Sequence, residues 1–281
     1  MFIIKEMLLE KDVYKDDLEW FEEHFPNGGD YQEVLDLSVK LDNDDFGIWL
    51  LRQFGPMDTI LEVDELTSDH SIIFAGSIVS KGGINVTGSL IAGFDIMASN
   101  DIIVSGNIKT FTGVETDGDI NVGGSIKTEL NIKAGGDIKA GGDIKAKFYI
   151  RAGGDINVSW TIIAELGIRA GNDIKAFLIK AGNYVRAGGD INADWSITAD
   201  WYIKADGNIN AGNDIKAVRT VEAGNDIKAG GDIKAGYDFG IHAGLALSIL
   251  NGEEATITAK TRPENIILGT FAPNDDCWFN K

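Results

Sequence analysis

The chain repeats itself every six residues, and no other feature constrains its fold as strongly. Counted from Ile72 in steps of six, an aliphatic residue occupies every position through Ile174, among them Ile78, Ile84, Leu90, Ile96, Ile102, Ile108, Val114 and Ile120. One residue is then lost. The series resumes at Ile179, Val185, Ile191 and Ile197, runs to Ile233 and has Phe239 as its next member, while Leu66 and Ile60 extend it backwards. Two residues after each aliphatic stands a small or β-branched residue, usually Ala, as at Ala134, Ala140, Ala146 and Ala152, and the residue between them is usually Lys, Arg or Asn. That is strand alternation: Ile and Ala point inward, while Lys and the preceding Asp, as at Asp137 or Asp143, point outward. A helix could not tolerate the Gly-Gly pair that follows, so each unit is one short strand and one corner.

The residue two positions before each aliphatic tells how many units close a coil. Sorted at a spacing of 18, one class holds only Gly or Asn: Gly82, Asn100, Gly118, Gly136, Gly154, Asn172, Gly189, Gly207 and Asn225. Such a column suits a corner with positive φ. Eighteen residues per coil means three faces. The expected fold is mainly β, a three-sided single-stranded β-solenoid of about ten coils, about 45 to 50 Å long at the usual strand spacing, with a small α-helical N-terminal domain. Each buried Ile contributes about 1.5–3 kcal/mol.

We divide the chain into an acidic helical domain and cap at 1–59, the solenoid at 60–247 and a closing segment at 248–281 containing Pro263, Pro273 and Trp278. Helices are expected over Asp16 to His24, stopped by Pro26, over Tyr31 to Leu41, and from a cap at Asp44 or Asp45 to Phe54, ending at Gly55. Net charge is −19, but residues 1–69 alone hold 19 acidic against 5 basic residues, a net of −14, and residues 70–250 hold 20 against 17, a net of −3. The acidity argues against nucleic acid as a partner and can steer a basic protein. No apolar run suits a signal peptide or membrane span. Cys277 is the only cysteine, so no internal disulfide forms, and a cytoplasmic location follows.

Departures from the consensus carry what the fold does not require. In the first coils the outward position holds Ile73, Val79, Ile91, Met97 and Ile103, an apolar set that the N-terminal domain is expected to cover. Between residues 148 and 202, eight of the 25 aromatic residues replace Gly and Asp. Trp160, Phe177 and Trp195 share one corner column, and the adjoining column runs through Phe148, Leu166 and Trp201. Two orientations fit: rings filling a widened coil, or rings facing water, since the second column also accepts Asn183 and Arg219. His24, His70 and His242 have no ligand or nucleophile spacing, and the Gly-Gly corners lack the Lys and helix of a phosphate loop. The expectation is no enzyme, no cofactor and no metal.

Val86-Thr-Gly-Ser-Leu-Ile-Ala and Val104-Ser-Gly-Asn-Ile-Lys-Thr resemble the repeats of bactofilins, whose family property is polymerisation into bacterial cytoskeletal scaffolds. The 18-residue coil is also similar to hexapeptide-repeat acyltransferases, although Lys after each aliphatic and the missing cleft histidine depart from them. The reading is a cytoplasmic, bacterial-type protein-binding module, an inhibitor or immunity-type protein. It would seat a basic partner through Asp16, Asp17, Glu22, Glu23, Asp42, Asp44 and Asp45, or bind a partner or itself as a dimer through Phe148, Trp160, Phe177, Trp195, Trp201 and Tyr202. The alternative is a bactofilin-like scaffold. The assigned facing predicts that Ile138→Asp destabilises the rod severely by burying a charge, whereas Lys139→Glu changes little. Equal shifts in melting temperature would refute it.

Overall fold

The structure, a computed structural model, describes residues 1–236, 240–245 and 255–274. The hexads form a three-sided rod whose faces are parallel sheets, with about eleven turns of about 18 residues. Among the described residues, in chain order, the first face holds twelve strands from Ile60–Val63 to Ile266–Leu268, the second twelve from Leu66–Ser68 to Thr270–Pro273, and the third ten from Ile72–Phe74 to Ile233–Lys234. Strands of three residues are too short to be stable singly, and each is held by the coils before and after it. Identical residues stack, as in Ile102 on Ile120, Ile138 and Ile156. Ile138 is fully buried, and Lys139 is exposed.

The register drops to 17 where the sequence loses a residue, pairing Ile162 with Ile179 and Ile174 with Ile191. A second drop lies at the N-terminal end. Leu61, not Ile60, pairs with Ile78, and Ile60 faces water at 66% exposure. Extending the six-residue count to Ile60 is therefore corrected, because period 2 sends the neighbouring residue to the opposite side.

The Gly and Asn column is also corrected in its cause. Among the described residues only Gly28, Gly55, Gly240, Gly244 and Gly269 are positive-φ glycines, and none belongs to the column. What the corner crowds is a Cβ, which the Asn members of the column must accommodate by a local shift. One built on Gly136 would lie 2.0 Å from Asp119 Oδ1, and one on Gly154 would lie 2.1 Å from Asp137 Oδ1. Each Asp there reaches to the next coil, where its Oδ1 accepts a backbone N–H. Eight successive rungs run from Asp101 through Asp119, Asp137, Asp155, Asp173, Asp190, Asn208 and Asp226 to the N–H of Thr256. Rungs over Gly118, Gly136, Gly154, Gly189 and Gly207 measure 2.6–2.8 Å, whereas those over Asn172 and Asn225 lengthen to 3.0 and 3.2 Å. Ser and Asn do the same at the next corner, Asn107 N donating to Ser89 Oγ and Ser125 N to Asn107 Oδ1. The outward Asp is thus a structural strut as well as a surface charge.

Four helices, not three, precede the rod: α1 Lys5–Leu9, α2 Lys15–His24, α3 Tyr31–Lys40 and α4 Asp44–Phe54. Asp30 caps α3 by accepting from Gln32 N, Asn43 is the N-cap residue of α4 with Asp44 and Asp45 in its first turn, and Gly55 at φ +76° ends it. Ile73, Ala75 and Ile91 share one apolar cluster with Val34, Leu35, Leu50 and Leu51 of the helices. The Gln32 side chain completes the third sheet's edge, donating from Nε2 to Ile73 O at 2.8 Å and accepting from Ala75 N at Oε1 at 2.9 Å. Gly47 lets α4 approach, since a Cβ there would meet Ile73 Cδ1 at 2.8 Å and Ser38 Oγ at 2.4 Å. The cover is confined to the third face. Met97 and Ile103 remain 40% and 44% exposed, and Val79 is half-buried, because they project from the first and second faces. Beyond the hexads, Thr256–Ala259 and Thr270–Pro273 continue the second sheet. Phe239, Cys277 and Trp278 lie outside the described residues.

The rungs make stability pH-dependent. The N–H of Asp155 and then Lys139 hold the Asp137 carboxyl below its ordinary range, and Lys145 does so for Asp143 against partial burial. A folded pKa below the unfolded value, about 4, gives stability that is present above that value and lost as pH falls through the folded pKa. Thermal melting of the rod should therefore decline below about pH 4. At neutral pH, Asp137→Asn, which keeps an acceptor, should melt near wild type, while Asp137→Ala should lose about 1–3 kcal/mol. An undiminished Ala variant would refute the strut.

Candidate interaction surface

With the Ile and Ala columns filling the interior, a large corner side chain has nowhere to go but outward. Ile150, Ile162 and Ile197 are fully buried beside it. The corner backbone keeps its coil-to-coil bonds regardless of the side chain: Phe177 N donates to Trp160 O at 2.8 Å, Trp195 N to Phe177 O at 2.8 Å, and Trp201 N to Asn183 O at 2.7 Å. The rings accordingly face water, which decides between the two orientations the sequence allowed. Trp160 is 60% and Trp201 48% exposed, and Phe148, Phe177 and Trp195 are exposed as well.

The two columns bracket the third face. Trp160, Phe177 and Trp195 follow one another along its entry corner, with ring centroids 6.2 and 6.4 Å apart. Phe148, half-buried Leu166 and Trp201 mark its exit corner, where the Arg219 guanidinium lies 4.8 Å from the Trp201 ring. Between them the strand Thr161–Ala164 turns half-buried Ile163 outward, with Lys145 and Lys180 as its register neighbours. Ile163 thus continues, after an interval of lysines, the column of Ile73 and Ile91 on which α3 and α4 sit. Tyr202 belongs elsewhere: it begins a first-face strand, stacked on Tyr184 at 5.3 Å and 8°.

A family model described as the flagellar assembly protein A β-solenoid domain matches residues 73–200 and 109–250. The chain belongs to this family. No curated protein and no solved structure matches it significantly. The resemblance to bactofilins and hexapeptide proteins holds at the level of a solenoid architecture. Both aromatic columns lie inside the residues matched by the flagellar assembly protein A domain, and helices α1 to α4 lie before them.

Of the acidic residues singled out in the sequence, the fold gathers Asp16, Asp17 and Asp45. Asn43 Nδ2 donates to Asp17 Oδ1 at 3.4 Å, joining α2 to the start of α4, and burial, with the charges of Asp16 and Asp45, pushes the Asp17 carboxyl up. Glu22 is drawn away to Lys5. Glu23 and Asp42 are exposed, and Asp44 lies in the first turn of α4. Among the described residues no group of three or more His, Cys, Asp or Glu could hold a metal, and no helix is long and apolar enough to cross a membrane.

One column escaped the sequence reading. The outward positions of the first face run Lys133, Arg151, Arg169, Arg186 and Lys204. The signal is present in the sequence: the residue after each aliphatic, taken every 18 residues and every 17 across the deletion, gives this basic column.

Because the rings rest on a backbone that does not need them, Trp160→Ala with Trp195→Ala should leave the far-ultraviolet circular dichroism unchanged and the stability within about 1 kcal/mol. An unfolded product would mean that the rings support the fold.

Proposed function

We propose that the chain is a non-enzymatic docking rod that holds a protein partner on its third face, with flagellar assembly, the process named by its family, as its setting in the cytoplasm. One observation carries this reading: outward aromatic columns flank the same face that already binds helices α3 and α4 through Ile73 and Ile91. Large rings that are rigid and half apolar are the usual anchors of protein interfaces, and nothing in the coil's own packing asks for them.

Two other readings have specific support. The net charge of −14 over residues 1–69 and the gathering of Asp16, Asp17 and Asp45 favour a basic partner on the helical domain, as an inhibitor or immunity-type protein would require. Self-assembly of bactofilin type is favoured by the N-terminal edge strands Ile60–Val63 and Leu66–Ser68, which have no further strand beside them among the described residues.

The deciding experiment replaces the chromosomal gene in its native cell with the Trp160→Ala, Trp195→Ala variant and introduces a photo-crosslinking residue at Ile163 in both versions. The expected result is one crosslinked protein partner for the wild-type rings, its loss in the variant at equal chain level, and altered flagellar number by electron microscopy. Unchanged crosslinks and flagella would remove the third-face reading. Loss of flagella on charge reversal of Asp16, Asp17 and Asp45 instead would favour the helical domain.

A further inference from the structure

The first face carries a run of positive charge that the fold does not use. Its outward side chains follow in direct register from Glu115 through Lys133, Arg151, Arg169, Arg186 and Lys204 to Glu222. The outer members are neutralised, Lys133 by Glu115 and Lys204 by Glu222 at 2.7 Å. Among the described residues no carboxylate pairs with Arg151, Arg169 or Arg186.

Four lysines on the other two faces find a counter-ion two residues earlier, just before their strand, as Lys139 with Asp137, Lys145 with Asp143, Lys216 with Asp214 and Lys234 with Asp232, although Lys109, Lys127 and Lys180 have Asn, Ser and Leu there. At the three arginines that aspartate is replaced by Tyr149, Gly167 and Tyr184. Two departures therefore coincide: the counter-ion is removed, and lysine gives way to arginine. Like charges directly opposite on neighbouring strands repel, here at a strand spacing of about 4.8 Å, so the column opposes folding. The planar guanidinium, however, suits two-pronged binding of a carboxylate better than an ammonium does. The tyrosines flank the column, Tyr184 stacking on Tyr202 and its ring lying over Gly167, and the Arg151 guanidinium is 4.5 Å from the centre of the Tyr149 ring.

We propose that Arg151, Arg169 and Arg186 form a docking site for an acidic helix of another protein, laid along the rod axis with one carboxylate per turn facing the arginines. A helix repeats every 5.4 Å or so against about 4.8 Å between strands, so over the two steps of the column the mismatch is only about 1 Å. The third face shows that a side of this rod accepts helices, since α3 and α4 lie on one. Charge complementarity selects the occupant. The three arginines offer carboxylates what the chain does not supply, while its net charge of −19 repels a long polyanion extending past them. The inference goes beyond the third-face reading and uses different side chains, so the Trp160 and Trp195 variant leaves it intact and its failure would leave that reading standing.

The test is fluorescence anisotropy of the full chain with a labelled synthetic helical peptide bearing one glutamate per turn on one face, at about 50 mM salt to limit screening. Binding should weaken about tenfold or more in the Arg169→Gln, Arg186→Gln variant, and should be unchanged in Lys139→Gln, Lys175→Gln on the second face. The melting temperature of the arginine variant should equal or exceed that of the wild type, because repulsion has been relieved. The proposal is overturned by equal binding of the peptide to both variants, by a clear fall in melting temperature in the arginine variant, or by tighter binding of a single-stranded oligonucleotide of equal charge. Concentration-dependent self-association that disappears with the arginines would also overturn it, making the occupant a second copy.

Discussion

Everything in this protein hangs on the bond between a residue and its counterpart one coil later. Strands of three residues cannot stand alone; each is stabilised by stacking its Ile on the next Ile and by donating its N–H groups across the coil spacing. The Asp, Asn and Ser struts extend that coupling into the corners, where backbone N–H groups would otherwise turn to water. The glycine column follows from the strut, not from backbone dihedrals. A carboxylate that crosses to the next coil approaches the space a Cβ would fill.

Once interior and corners are satisfied, the outward positions are released, and the three faces diverge. The first carries arginines and tyrosines. The second carries lysines and asparagines, with Asn210 Nδ2 donating to Asn192 Oδ1 at 2.9 Å. The third carries Ile73, Ile91 and Ile163 among lysines, with aromatic columns at its corners around Ile163. A single rigid repeat thereby presents three chemically distinct strips, each held at a fixed spacing along the axis, which is the property expected of a rod that positions other molecules. The helical domain shows how one strip is used. Gln32 takes the place of a missing strand at the third sheet's edge, and α4 approaches Ile73 closely because residue 47 lacks a side chain.

Much of this was legible in the chain. Period, facing, three sides and the position of the lost residue follow from Ile72 to Ile233 without coordinates, since a buried column admits only aliphatics and every exception would open the core. The helix limits at His24, Phe54 and Gly55 were readable from turn residues and apolar spacing. Helix α1 was not, being a five-residue turn supported by tertiary contacts. The arginine column was written in the sequence but becomes visible only when outward positions are grouped by face.

What the sequence by itself determined is the rod: a six-residue alternation of aliphatic, basic and small residues has one low-energy use, and it is local enough to be counted. What only the tertiary structure decided is which way the large rings turn, where the helical domain sits and which charges remain unpaired. Trp160 and Trp201 face water because the Ile columns leave no interior volume for them, Ile73 and Ile91 are covered while Met97 and Ile103 are not because one small domain reaches one face, and the three arginines stand without carboxylates because registry sets them beside one another. Those outcomes depend on neighbours 18 residues away and more, whose proximity exists only once the coils have stacked.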